Sequence, residues 1–210
     1  MGLDRERIVR TGLRLLGEVG LEGLTLRRLA RELDVQAPTL YWHVKSKQEL
    51  LDEMATAMLR DLLAEGEAPP GPWPGFVTGA ARGLRRMLLA YRDGARVFSG
   101  THLTDDSLIG AMEQPLRRLT EAGFSLDDAA RGWSAVYSYV IGSTIEEQAV
   151  HPSPGARDER YDPERRALRI DADRHPLAAA AGPALFGNFD DRFEHGLALL
   201  VAGMARALDD

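Results

Sequence analysis

Apolar residues recur at helical spacing along almost the whole chain. Ile8, Leu13, Leu16 and Val19 mark one side of a first helix, expected over 4–19, with Asp4 as its cap and Gly20 as its stop. Leu26, Leu29, Ala30 and Leu33 follow as the buried face of a second, capped by Thr25. It should end at Asp34, one of the few non-glycine residues that tolerate a positive φ, with Val35 plugging the turn. A third helix should start at Pro38, where a missing N–H costs nothing, leaving Ala37 as the boundary residue. Only Leu40 and Val44 would then face inward. Ser46 and Glu49 form a capping box for a fourth helix over 46–63, carrying Leu50, Leu51, Met54, Met58 and Leu62.

The stretch 65–75 holds four prolines and three glycines and reads as a linker. It divides the chain into units 1–64 and 65–210. Beyond it the pattern predicts a helix over 76–91 (Val77, Leu84, Met87, Leu88 and Tyr91 inward), a turn at Asp93-Gly94, and a short helix over 95–100. A further helix opens at Asp105 or Asp106 and carries Leu108, Met112, Leu116 and Leu119 inward. Ser125, with Asp128 three residues on, caps the longest helix, which reaches Val150. A charged loop is expected over 151–176, then helices over 177–181 and 189–208, the last with a stripe of Phe193, Leu197, Leu200, Met204 and Leu208. No internal repeat or period-two strand pattern competes. The fold class is therefore all-α: a three-helix head, a linking helix and a helical-bundle body. The two longest helices carry more apolar surface than one small body can bury, which points to a homodimer with a four-helix interface.

Composition narrows the function. With no cysteine there is no disulfide, thiolate metal site or cysteine nucleophile, as expected of a cytoplasmic protein. The charged start is unlike a signal peptide, and the apolar run 197–204 is far short of a membrane span, so no membrane partner is expected. Net charge is −6, unevenly distributed. The first 50 residues carry nine Lys/Arg against seven Asp/Glu; the remaining 160 carry 17 against 25.

Residues 25–47 concentrate the candidate chemistry. They hold five basic and two acidic residues. Thr39, Tyr41, Trp42 and His43 would lie outward on one short helix, where exposed aromatics are costly unless something covers them. Cations suit phosphates, and alanine, threonine or histidine can meet base edges in a major groove. Arg27 and Lys47 are the expected phosphate anchors; Ala37, Pro38, Thr39, Tyr41, Trp42 and His43 are expected to meet bases or sugar-phosphate of double-stranded DNA.

The run from Pro38 to Leu51, PTLYWHVKSKQELL, resembles the DNA-binding domain of the TetR family of bacterial repressors, and the tetracycline repressor subgroup in particular. In the body Arg92 to Val97, Gly123 to Leu126, Ser134 to Val136, Glu146, Gln148 and Gly196-Leu197 are similar to that subgroup's regulatory domain. The resemblance implies a helix-turn-helix head, a ligand-binding and dimerisation body, a palindromic operator and a small-molecule effector that releases DNA. The subgroup usually has glutamine where this chain has Ala37. Alanine cannot pair bidentately with adenine, so a different operator is expected.

In the subgroup a histidine of the short sixth helix ligates magnesium and a glutamate of the eighth holds its water. The glutamate matches Glu146, but the histidine position reads Phe98, and three other drug contacts align with Leu63, Ala80 and Leu84. Thr101 is retained and His102 follows it. Phenylalanine has no lone pair for a metal, so the expected effector is hydrophobic or aromatic and not magnesium-tetracycline. Its pocket is expected to involve Leu84, Phe98, Thr101, His102, Trp133, Tyr137, Ser138 and Glu146, with Gln148 a further polar anchor. No cofactor is expected and no catalytic or metal-ligating set is assigned. Two other classes stay open: a helical-bundle enzyme using His102, Glu146 and Glu147, and a nonspecific architectural DNA binder.

Overall fold

The computed structural model describes residues 3–66, 71–152 and 156–209, and among these it contains helices and no strand. The head is α1 (Arg5–Gly23), α2 (Leu26–Glu32) and α3 (Ala37–His43), followed by the linking helix α4 (Lys47–Ala64). The body comprises α5 (Trp73–Leu89), α6 (Gly94–Phe98), a 3-10 turn at Asp106–Ile109, α7 (Gly110–Glu121) and α8 (Leu126–Val150). A 3-10 turn at Glu159–Tyr161 precedes α9 (Pro163–Ala167), α10 (Pro176–Ala180), α11 (Gly182–Phe186) and α12 (Phe189–Asp209).

Local chemistry sets most boundaries. Asp4 accepts from the Arg7 N–H at 2.8 Å, Thr25 from Arg28, Ser46 from Glu49 and Ser125 from Asp128. Glu49 reaches back to accept from the Lys45 N–H at 2.7 Å, one residue before the cap rather than at the cap itself. Gly20, at φ 69°, interrupts α1, and Asp34, at φ 55°, makes the tight turn after α2.

Five expectations are corrected. The third helix begins at Ala37, not Pro38, which occupies the second helical position. The first four N–H groups of any helix lack an internal acceptor, so proline fits there equally well. The same reason moves the start of α5 back to Trp73, inside the expected linker: Pro72 is its cap and Pro74 lies in its first turn. Pro69 and Pro70 lie outside the described residues. Met112 is 59% exposed rather than inward, because a 3-10 turn precedes α7 and shifts its buried face to Pro115 and Leu119. The stretch 151–176 is not plain loop: Asp162 caps α9, which starts on Pro163. Finally, a short extra helix, α11, lies between the last two expected ones.

One apolar core runs through head and body, from Ile8, Leu16, Leu29 and Leu40 through Leu50, Met54 and Met58 to Phe76, Leu88, Val140 and Phe193. The head's small core closes on α4, and α5 joins α4 to α8 and α12. Arg5 ties α1 to Glu53 of α4 at 2.5 Å and to the His43 carbonyl at 3.0 Å. Arg10 holds Asp61 of α4 through two hydrogen bonds, one of 2.8 Å.

Candidate nucleic-acid interface and regulatory body

The candidate residues fall in two regions: the outer surface of the head, and the meeting of α5, α6 and α8 in the body.

On α3, Leu40 and the following Val44 are fully buried, which fixes the helix against the head core. That leaves Pro38, Thr39, Tyr41 and Trp42 exposed, Trp42 at 88% and Tyr41 at 48%, while Ala37 and His43 are half-buried. An indole this open has no role in the core. Arg27, Arg31 and Lys45 are exposed around it, with no carboxylate at ion-pair distance among the described residues. Elsewhere most exposed arginines of α1 and the body are paired. Lys47 differs from Arg27: its ammonium donates to the Leu21 carbonyl at 2.6 Å and braces the last turn of α1. The seven-residue helix thus presents an aromatic, hydroxyl and imidazole set beside free cations, as a major-groove reader needs.

In the body, Phe98 of α6 is 6% exposed and its ring lies 6.4 Å from that of Tyr137 on α8. Burial pushes the Tyr137 hydroxyl above the ordinary phenol range, so it stays protonated. Leu84 packs against the core from α5, and Trp133 stacks at 6.0 Å on Phe76. The Thr101 hydroxyl donates to the Phe98 carbonyl at 2.8 Å. His102 is exposed and its backbone N–H donates to Asp52 of the linking helix at 3.1 Å. Ser138 lies on the outer face of α8 with Ser134 and Gly142. Glu146 is exposed and takes Arg192 of α12 at 3.2 Å. Leu84, Phe98 and Trp133 therefore pack into the body, Tyr137 meets Phe98 while staying 39% exposed, and His102, Ser138 and Glu146 are exposed. Among the described residues no group of three or more His, Asp or Glu is placed to hold a metal.

Gln148 has a different role from the anchor expected of it. It is buried, accepts from the Ala95 N–H at 3.0 Å, and donates to the Leu88 and Tyr91 carbonyls at 3.0 and 2.8 Å. Both ends of its amide are used to hold the bend between α5 and α6. At that bend Asp93, at φ 55°, accepts the Leu21 N–H at 2.8 Å, and Arg92 donates to the Glu18 carbonyl at 3.2 Å. Thr104 adds a bond from its N–H to Thr56 of α4 at 2.9 Å. The head is thus fastened to the α6 region at α1 and α4. The pattern of residues read Asp93 as a turn and no more; its partner lies 72 positions away.

An exposed aromatic helix on a three-helix head, joined by a linking helix to a helical body, defines a helix-turn-helix transcription regulator. Residues 8–54 match the family described as bacterial regulatory proteins, tetR family, and residues 65–208 match the tetracyclin repressor-like C-terminal domain. The chain belongs to the TetR family, and it is a ligand-responsive DNA-binding repressor of that kind. It is 41% identical to the tetracycline repressor protein class C of Escherichia coli over 97% of this chain and 91% of that one. A possible TetR family transcriptional regulator from Streptomyces coelicolor A3(2) superposes with a TM-score of 0.85 at 41% identity, covering 97% of this chain and 99% of its own. ActR of Streptomyces coelicolor, solved in complex with actinorhodin, superposes with a TM-score of 0.85 at 28% identity, over 100% of both chains. Proteins of this family are regulators rather than enzymes. No described helix is long and apolar enough to cross a membrane.

Proposed function

We propose that the protein is a homodimeric cytoplasmic repressor that reads a palindromic operator and leaves it on binding a hydrophobic, aromatic effector other than magnesium-tetracycline. The observation that carries the reading is Trp42, 88% exposed on α3 among unpaired cations. Unit 1–64 reads DNA; unit 65–210 binds effector and pairs with a second copy. Ala37, Pro38, Thr39, Tyr41, Trp42 and His43 meet base edges or sugar-phosphate, and Arg27 and Lys47 anchor phosphates. The long helices α8 and α12 leave Leu126 and Leu199 more than 60% exposed, which supports pairing through these helices.

Phe98 supports the choice of effector. It offers no lone pair to a metal and packs with Tyr137, so the pocket of Leu84, Phe98, Thr101, Trp133 and Tyr137 favours aromatic surface. His102, Ser138 and Glu146 would act at its rim. That ActR is solved with actinorhodin supports a body of this architecture taking various ligands. Signal transfer follows from the fastenings: an effector that shifts α6 shifts Asp93 and Thr104, and with them α1 and α4. It weakens DNA binding to the extent that it prefers the shifted state.

The test is displacement from operator DNA. Release by planar aromatic compounds, with none by micromolar tetracycline plus magnesium, supports the reading. Release by the tetracycline complex overturns it.

A further inference from the structure

Apart from the effector site proposed above, a cavity of about 590 Å³ opens where the end of α8 meets α9 and α11. Its wall is made by Val150, Tyr161, Ile170 and Phe186 together with Arg160, Arg165, Arg166 and Arg169, and it holds one acid, Glu159. Two of the four arginines are neutralised locally. Arg160 grips Asp158, whose carboxyl it pulls down to about 2, and Arg165 lies 3.7 Å from Glu159. Arg166 and Arg169 have no carboxylate at ion-pair distance among the described residues. Arg166 sits over Phe186, its guanidinium carbon 3.8 Å from the ring centroid, a cation–π contact that leaves its N–H groups without a carboxylate partner. Arg157, whose Nη2 reaches the Phe186 carbonyl at 3.5 Å, keeps its Nε buried with no acceptor. The segment is held in place: the Asp158 N–H donates to the Val150 carbonyl at 2.9 Å.

We propose that this cavity is a second small-molecule site, for a planar aromatic compound bearing a carboxylate. The ring would lie against Tyr161 and Phe186, and the carboxylate would take the free forks of Arg166 and Arg169. A concave site of this volume fits a molecule of two or three fused rings, not a macromolecular surface. Arg169 is exposed and Arg166 half-buried, so both guanidiniums are open to an anion entering from solvent. The proposal is independent of the effector pocket between α5, α6 and α8.

Calorimetric titration of the full chain with 2-naphthoate tests it, with the neutral 2-naphthalenemethanol and inorganic phosphate as comparators. One naphthoate is expected per chain, bound about tenfold more tightly than the alcohol and not displaced by equimolar phosphate. The double substitution Arg166→Gln, Arg169→Gln should weaken naphthoate about tenfold. Arg169→Gln alone, at an exposed position, should still weaken it about threefold, which keeps the test open if the double variant misfolds. Equal binding of the alcohol, displacement by phosphate, or no binding at millimolar naphthoate overturns the proposal. So does weakening by Thr101→Val without weakening by the arginine substitutions, which would place the naphthoate at the proposed effector site.

Discussion

Asp93 accepts a hydrogen bond from the main-chain N–H of Leu21 at 2.8 Å, and so fastens the regulatory body to the end of the first head helix. It does this from a left-handed backbone, φ 55°, beside Gly20 at φ 69°. Two demands meet in one residue: tolerance of positive φ, and an acceptor of the right reach. Asparagine meets both in part, glycine only the first, alanine neither. Urea unfolding should therefore rank wild type above Asp93→Asn and Asp93→Gly, with Asp93→Ala least stable by about 2–3 kcal/mol. An alanine variant as stable as wild type would remove this fastening from the account.

Gln148 should be less replaceable than its place on a helix face suggests. Leucine would fill its volume but leave the Ala95 N–H unpaired in the interior, and would remove one of the bonds made to each of the Leu88 and Tyr91 carbonyls, which keep those from the Tyr91 and Gly94 N–H groups. Gln148→Leu is expected to cost about 2–4 kcal/mol of unfolding free energy. A midpoint shift near zero would mean that solvent reaches the α5–α6 bend.

Trp42 should separate stability from recognition. At 88% exposure its removal takes almost nothing from the core, so Trp42→Ala should melt within about 0.5 kcal/mol of wild type. Fluorescence anisotropy with operator DNA should show at least about a tenfold loss of affinity, the scale of one good base-edge or stacking contact. Loss of both properties together would place the indole in a packing role.

The Arg10–Asp61 pair gives a pH dependence of known sign. Hydrogen bonding to Arg10 holds the Asp61 carboxyl below its usual value. A depressed folded pKa stabilises at pH values above the unfolded aspartate pKa, and the contribution disappears as pH falls through the folded value. Both side chains are over a third exposed, so solvent screening limits the pair to about 1 kcal/mol or less. Asp61→Asn should be less stable than wild type at pH 7, and the two should converge once the carboxyl is protonated in strong acid. A difference unchanged down to that limit would show that the charge contributes nothing.

The head was legible in its sequence because each of its signals is local. Thr25, Asp34, Ser46 and Glu49 act on atoms within five residues of themselves, and Leu40 and Val44 fix which side of α3 faces out. The long α8 was equally plain, from the Ser125 cap to Val150. The start of α5 was not, because prolines that break a helix interior are harmless in its first turn, and Pro74 lies there. Short helices such as α9 and α11 bury no residue fully and so leave no apolar period to read. The roles of Asp93 and Gln148 were hidden for another reason: their partners are main-chain atoms 72 and at least 53 positions away, and such atoms carry no sequence signature.

The central claim is that α3 reads a specific DNA sequence for a two-fold dimer. Selection of sites from a random DNA pool by the purified protein, at stated salt, tests it most directly. The account predicts an enriched palindrome with half-sites about one turn, roughly 34 Å, apart, and loss of that enrichment in Trp42→Ala. Binding that is weak, salt-sensitive and equal for all sequences would contradict it.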